Sequence, residues 1–128
     1  MNDRYLYRGK CLTGGTWSFG GIVPVNGIYE IHFMENGRLV SCIPDQGTVG
    51  QCTGLCDKNG TLIFEGDIVR LDTVSKHRAI GAVRWTEFAR YEFWHIRQDQ
   101  GFQLGQRFDE TEIIGNIHDN PELLEAAP

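Results

Sequence analysis

Thr16-Trp17-Ser18-Phe19-Gly20-Gly21-Ile22-Val23-Pro24-Val25-Asn26-Gly27-Ile28-Tyr29-Glu30-Ile31-His32-Phe33-Met34-Glu35-Asn36-Gly37-Arg38-Leu39-Val40-Ser41-Cys42-Ile43 is the stretch that decides the fold. It holds two Asn-Gly pairs, each flanked by β-branched and aromatic residues. Asn-Gly suits a two-residue type I′ hairpin, because both central positions need positive φ. The stretch therefore predicts three antiparallel strands, Thr16 to Val25, Ile28 to Met34 and Arg38 to Ile43. In the central strand Tyr29, Ile31 and Phe33 alternate with Glu30 and His32. Period-two alternation marks a sheet with one dry and one wet face.

Outward from this meander the chain stays β-rich. Arg4 to Lys10 reads as a strand before the Gly14-Gly15 turn. Pro44 to Lys58, with Pro44, Gly47, Gly50 and Gly54, reads as an ordered connection with one helical turn. Asn59-Gly60 is a third tight turn. Short strands are expected at Thr61 to Phe64 and Asp67 to Asp72, around Glu65-Gly66. A polar loop, Thr73 to Arg78, precedes strands at Ile80 to Trp85, Arg90 to Arg97, Gly101 to Leu104 and Glu112 to Ile117. Asn120-Pro121-Glu122 then reads as the start of a two-turn helix: an N-cap, a first-turn proline and an acid at the positive end of the dipole. Leu123 and Leu124 would anchor it on the body.

Bulk properties narrow the function. The chain has 128 residues, 41% hydrophobic and 23% charged, which fits a globular domain able to bury a core. Its net charge is -5. Residues 1 to 56 are balanced, residues 57 to 128 carry the whole excess, and the last twenty hold six carboxylates and no Lys or Arg. Nucleic-acid binding draws its affinity from Lys and Arg neutralising phosphates, so this charge disfavours it. The polar start Met1-Asn2-Asp3-Arg4-Tyr5 offers no signal peptide, and no apolar run is long enough for a membrane helix. The expectation is a cytoplasmic protein with Cys11, Cys42, Cys52 and Cys56 as reduced thiols.

Several chemistries fail on spacing. Cys52 and Cys56 make one close pair, whereas structural zinc wants four ligands. Asp57-Lys58-Asn59-Gly60 resembles part of a calcium loop, but the first and last ligand positions fall on Leu55 and Gly66. A hairpin turn is the simpler reading. No phosphate-cradling glycine motif, H-E-x-x-H or G-x-S-x-G occurs. Glu65 and Asp67, two apart, could share a face for acid–base work, although turn carboxylates that bind nearby N–H groups are commoner. Arg84, Trp85, Arg90, Tyr91, Phe93, Trp94, His95 and Arg97 concentrate cations and rings. Such a strand either fills a core, contacts a partner or stacks bases. Arg84, Trp85, Arg90, Tyr91, Trp94 and Arg97 are its candidate interaction residues.

Thr48-Val49-Gly50-Gln51-Cys52-Thr53-Gly54-Leu55-Cys56-Asp57-Lys58-Asn59-Gly60, continuing into Ile63-Phe64-Glu65-Gly66-Asp67-Ile68-Val69, resembles the signature segment of the YopX family of phage and prophage proteins. Arg8-Gly9-Lys10 with Trp17 and Gly20, Gly81-Ala82-Val83, and Ile113-Ile114-Gly115-Asn116-Ile117-His118-Asp119-Asn120-Pro121-Glu122-Leu123-Leu124 match in the same order, so the resemblance spans nearly the whole chain. It departs at Cys52, where the family more often has Tyr, and at Cys56, where it often has Lys. The resemblance implies a mainly β (α+β) protein: an N-terminal meander over 1–56 and a C-terminal SH3-like β-barrel with a short helix over 57–128. It implies a prophage origin in Gram-positive bacteria and homo-oligomers, and it implies no activity; with the spacing arguments above, no catalytic residues, metal or cofactor are expected. Gly50, Gln51, Thr53, Gly54, Asp57, Asn59, Gly60, Phe64, Glu65, Gly66, Asp67, Gly115, Asn116, Asn120 and Pro121 are then signature residues with structural roles. The expected function is a non-catalytic interaction module for itself and for a phage or host protein. A nucleic-acid accessory protein and a small hydrolase-like enzyme are the alternatives.

Overall fold

The computed structural model describes residues 5–72, 78–85, 91–95, 100–103 and 110–125; of Asp72, 78–79, 91–95 and 100–103 it describes the backbone only. Eleven strands and one short helix occur among them. They are β1 Tyr7–Lys10, β2 Trp17–Val25, β3 Ile28–Glu35, β4 Arg38–Cys42, β5 Gly50–Cys56, β6 Leu62–Phe64, β7 Asp67–Asp72, β8 Arg78–Trp85, β9 Tyr91–His95, β10 Gln100–Gln103, β11 Thr111–Asn116 and α1 Glu122–Glu125. The chain divides into two compact units, Met1–Cys52 and Thr53–Pro128, and the boundary falls inside β5.

In the first unit the sheet order is β4-β3-β2-β1, with the start of β5 beyond β1. Both Asn-Gly hairpins form as expected. Asn26 and Asn36 take φ of 49° and 51°, and Gly27 and Gly37 take 86° and 78°. Cross-strand pairs Ile22↔Ile31 and Ile31↔Cys42 set the register. Ile31 is fully buried, Phe33 is half-buried and Tyr29, beside the turn, is exposed. The inner face lies against Pro44: a Cβ added to Gly9 would come within 2.7 Å of Pro44 Cβ and 2.8 Å of Ile31 Cδ1. The segment after Pro44 is tied down by polar groups. Gln46 makes two hydrogen bonds with the Tyr29 backbone, at 2.8 and 2.9 Å. Thr48 Oγ1 accepts the Lys10 N–H at 2.9 Å and donates to the Asp45 carbonyl. On the other face the Arg8 guanidinium stacks over Trp17, 4.8 Å from the ring centroid, a cation–π contact.

Two expectations are corrected here. Pro44 to Lys58 is not all connection: after a 3-10 turn at Gln46–Thr48 it becomes β5. That strand lacks alternation, because Gly50, Cys52 and Thr53 are all buried, and its first partners are Arg8 and Tyr7, far away in sequence. Nor are all four cysteines reduced: Cys11 and Cys42 form a disulfide. They are 31 residues apart, but Cys11 bridges Pro44 just past β1, which brings it to the end of β4. Cys52 and Cys56 are free thiols.

In the second unit the sheet order is β10-β9-β8-β7-β11, all antiparallel. The described strands form an open sheet and do not close into a barrel. One face carries Val69, Leu71, Val83 and Ile113, and packs against Leu55 and Ile63 of the β5–β6 hairpin. The opposite face carries Ile68, Ile80 and Ile114 beneath Leu123 and Leu124 of α1. The helix docks as expected but is one turn long, not two. The Asn120 side chain does not cap it; Asn120 Oδ1 reaches back to the Asn116 N–H at 3.2 Å. Among the described residues no helix is long and apolar enough to cross a membrane.

Adjacent glycines in β2 separate steric need from tolerance. A Cβ on Gly20 would enter the carbonyl of His32, a backbone atom that cannot yield, whereas a Cβ on Gly21 would meet open space. Gly20→Ala is expected to lose about 2 kcal/mol of stability, as overpacking does. Gly21→Ala should change it by no more than about 0.5 kcal/mol, as a surface substitution does. Urea unfolding of the two variants checks the contrast.

Candidate functional site

Asp57 is a carboxylate among the signature residues, so its surroundings decide whether those residues make a reactive site. It is 6% exposed at the end of β5. One carboxylate oxygen accepts the N–H groups of Asn59 and Thr61, at 2.9 and 3.0 Å. The other accepts the N–H of Ile113, at 3.0 Å. The next residue continues the pattern, Lys58 N–H donating to the Thr111 carbonyl at 2.9 Å. β11 is an edge strand, and its outward groups would otherwise face solvent. Asp57 and Lys58 cover them. Both Asp57 oxygens are thus engaged by backbone donors, two on one and one on the other. The turn itself closes by Gly60 N–H to the Asp57 carbonyl and by Gly60 at φ 82°. It is a hairpin, not a calcium loop.

Asp67 follows the same logic. It is 2% exposed, and its Oδ2 accepts the Phe64 N–H at 2.7 Å, closing the Phe64-Glu65-Gly66-Asp67 turn. Gly66 supplies φ of 90° there, and its N–H and carbonyl bond to Val83 and Ile117. Glu65, at the turn, is half-buried. A concavity of about 550 Å³ lies in the first unit beside Cys11, Cys42, Ser18 and Glu30.

Other signature residues also hold backbone. Thr53 Oγ1 donates to the Ile63 carbonyl and accepts the Leu55 N–H, bracing the left-handed kink at Gly54, φ 82°. Phe64 is buried, and Gly50 and Gln51 pair with Arg8 and Tyr7. At the C-terminal signature Asn116 Oδ1 accepts the N–H groups of His118 and Asp119, and the Asn116 carbonyl accepts the Asn120 N–H. A register shift between Ile113 and Gly115 puts Gly115 opposite Ile68, on the face that α1 covers. A Cβ there would lie 2.6 Å from Asn120 Oδ1 and 2.8 Å from Leu123 Cδ1. The Pro121 carbonyl accepts the Leu124 N–H as α1 begins.

The Arg–aromatic strand is placed in part. Arg84 and Trp85 end β8, both exposed, Trp85 at 47%. In register Arg84 faces Glu92, Trp85 faces Tyr91, and Ala82 faces Trp94. Strand positions alternate faces, so 85 and 91 fall on one face of the sheet and 84 and 94 on the other. Arg90 and Arg97 lie outside the described residues. Cys11 and Cys42, joined to each other, cannot supply thiolates to a metal with Cys52 and Cys56. Among the described residues no three His, Cys, Asp or Glu side chains converge.

Asp57→Ala would strand three N–H groups. It is expected to cost about 1–3 kcal/mol, the range for a donor left unsatisfied, chiefly through Ile113, since Asn59 and Thr61 are exposed. Asp57→Asn keeps one acceptor oxygen and should cost less. Chemical denaturation of both variants orders them, and equal stability of Asp57→Ala and the parent would refute the bracing role. Gly115→Ala should lose about 1–3 kcal/mol through overpacking, with α1 undocked in an amide exchange map.

A family model described as YopX protein matches residues 25–125. Solved structures resemble the chain, among them the following two. The crystal structure of protein EF1440 from Enterococcus faecalis is 26% identical, with a TM-score of 0.55, covering 92% of this chain and 96% of that one. The X-ray structure of protein yopX from Bacillus subtilis is 19% identical, with a TM-score of 0.66 over the full length of both chains. No curated protein sequence matches.

Proposed function

The chain belongs to the YopX family, and from that premise we propose that it is a non-catalytic interaction module of phage or prophage origin. In this reading it acts in the bacterial cytoplasm, self-associates, and binds a phage or host protein. Its second unit would be an SH3-like barrel built on the β7–β11 sheet. The observation that carries the reading is Trp85, nearly half exposed at the end of β8 and opposite Tyr91 in register. Large aromatics are among the residues that dominate binding energy at protein interfaces. The alternative use of this end of the sheet, stacking single-stranded nucleic acid, has the same rings but faces a net charge of -5. Of Glu65 and Asp67, the two carboxylates that an enzyme reading would recruit, Asp67 is buried and accepts the Phe64 N–H, which argues against that reading.

Light scattering during size-exclusion chromatography tests the proposal. The parent chain should run as a defined oligomer whose mass ignores a short single-stranded DNA, and Trp85→Ala should run smaller without loss of secondary structure. A monomer that gains mass with DNA, and loses it as salt rises, would replace this reading with nucleic-acid binding.

A further inference from the structure

The Cys11–Cys42 disulfide is placed for chemistry as well as for bracing. Both cysteines line the concavity of the first unit, about 550 Å³, with Leu12, Ser18, Phe33 and Val40 among its walls. That space admits a small molecule to the sulfurs. The two sulfurs are not equivalent. Cys11 is 7% exposed, whereas Cys42 is half-buried on the edge strand β4. Ser18 Oγ lies 3.0 Å from Cys11 Sγ. A hydroxyl there can donate to sulfur, and a thiolate accepts such a bond better than a disulfide sulfur does.

We propose that Cys42 is a thiol-exchange site, and that the ligand is a low-molecular-weight thiol entering this concavity. The thiol loses its proton to solvent, and its thiolate attacks Cys42 Sγ. A new S–S bond forms between the small thiol and Cys42 as the Cys11–Cys42 bond breaks. The electron pair of that bond leaves on Cys11 Sγ, where Ser18 Oγ–H stabilises the thiolate until it takes a proton from water. A second thiol molecule then attacks the mixed disulfide, releasing the oxidised small thiol and leaving Cys42 reduced. Exchange rates depend on access to the attacked sulfur and on the stability of the leaving thiolate, and Cys42 and Ser18 supply one each. Reduction frees the end of β4 from Cys11 and leaves backbone bonds there such as Leu12 N–H to the Ile43 carbonyl and Asp45 N–H to the Lys10 carbonyl.

The test uses the intact, folded chain and 2-mercaptoethanol as the thiol. Exchange is quenched with acid, the remaining thiols are alkylated, and peptides are mapped by mass spectrometry. The mixed disulfide is expected on Cys42, with alkylated Cys11 in the same molecules, and Ser18→Ala should slow its formation at least threefold at an unchanged unfolding midpoint. An adduct on Cys11, or reduction only after the chain is unfolded in urea, would overturn the proposal. An exchange rate unaffected by Ser18→Ala would overturn the leaving-group assignment. Cys11→Ser, which leaves Cys42 as a lone thiol, separates access from exchange: with the oxidised dimer of the same thiol it should form the adduct on Cys42 in the folded state. Protection of Cys42 there would also count against the site.

Discussion

The Asp57 carboxylate is the interaction on which the second unit most depends. It closes its own turn through Asn59 and Thr61 and also reaches Ile113, 56 residues later in the chain. A sheet edge needs cover, and a buried carboxylate needs donors. Here each need meets the other. The ion pairs nearby, Lys58–Glu112 at 3.1 Å and Arg70–Glu112 at 3.7 Å, are partly exposed and add little by comparison. With β11 held in place, ordinary alternation gives Ile113 to one core and Ile114 to the other, and the register shift between Ile113 and Gly115 sets Gly115 under Leu123. A one-turn helix that could not persist alone is thereby kept in contact with the sheet.

The same logic explains what a dense run of polar signature residues does. Asp57, Thr53, Asp67, Asn116 and Asn120 each bond to backbone at a turn, a kink or a strand end. The glycines among them supply positive φ, as at Gly54, Gly60 and Gly66, or room, as at Gly115. Chemistry that reaches solvent lies elsewhere: in the exposed Trp85 at the end of β8, and in the disulfide lining the first unit's concavity.

What was legible in the sequence was local. Asn26-Gly27 and Asn36-Gly37 announced their hairpins because two-residue turns depend on their own φ values. Ile31 was readable as core from alternation, and Leu123 and Leu124 as an anchor. What was not legible depends on partners far along the chain. β5 hides because its buried residues do not alternate and its first neighbour is β1. The disulfide hides because only the Cys11–Pro44 bridge brings Cys11 near Cys42. Asn120 looked like a helix cap because Pro121 and Glu122 follow it, but the turn after β11 uses its oxygen first. The Arg–aromatic strand left core, partner and base-stacking readings open, because composition alone does not reveal that a strand's pleat puts position 85 and position 84 on opposite faces.

The most direct test of the account is amide hydrogen exchange, read residue by residue in the parent chain by NMR. The N–H groups of Thr61 and Ile113 should be protected to the same degree as that of Phe64, which Asp67 holds, because each is bound by a carboxylate oxygen. Exchange of Ile113 at the rate of an open strand edge would mean that Asp57 does not hold β11, and that the signature turn has another purpose.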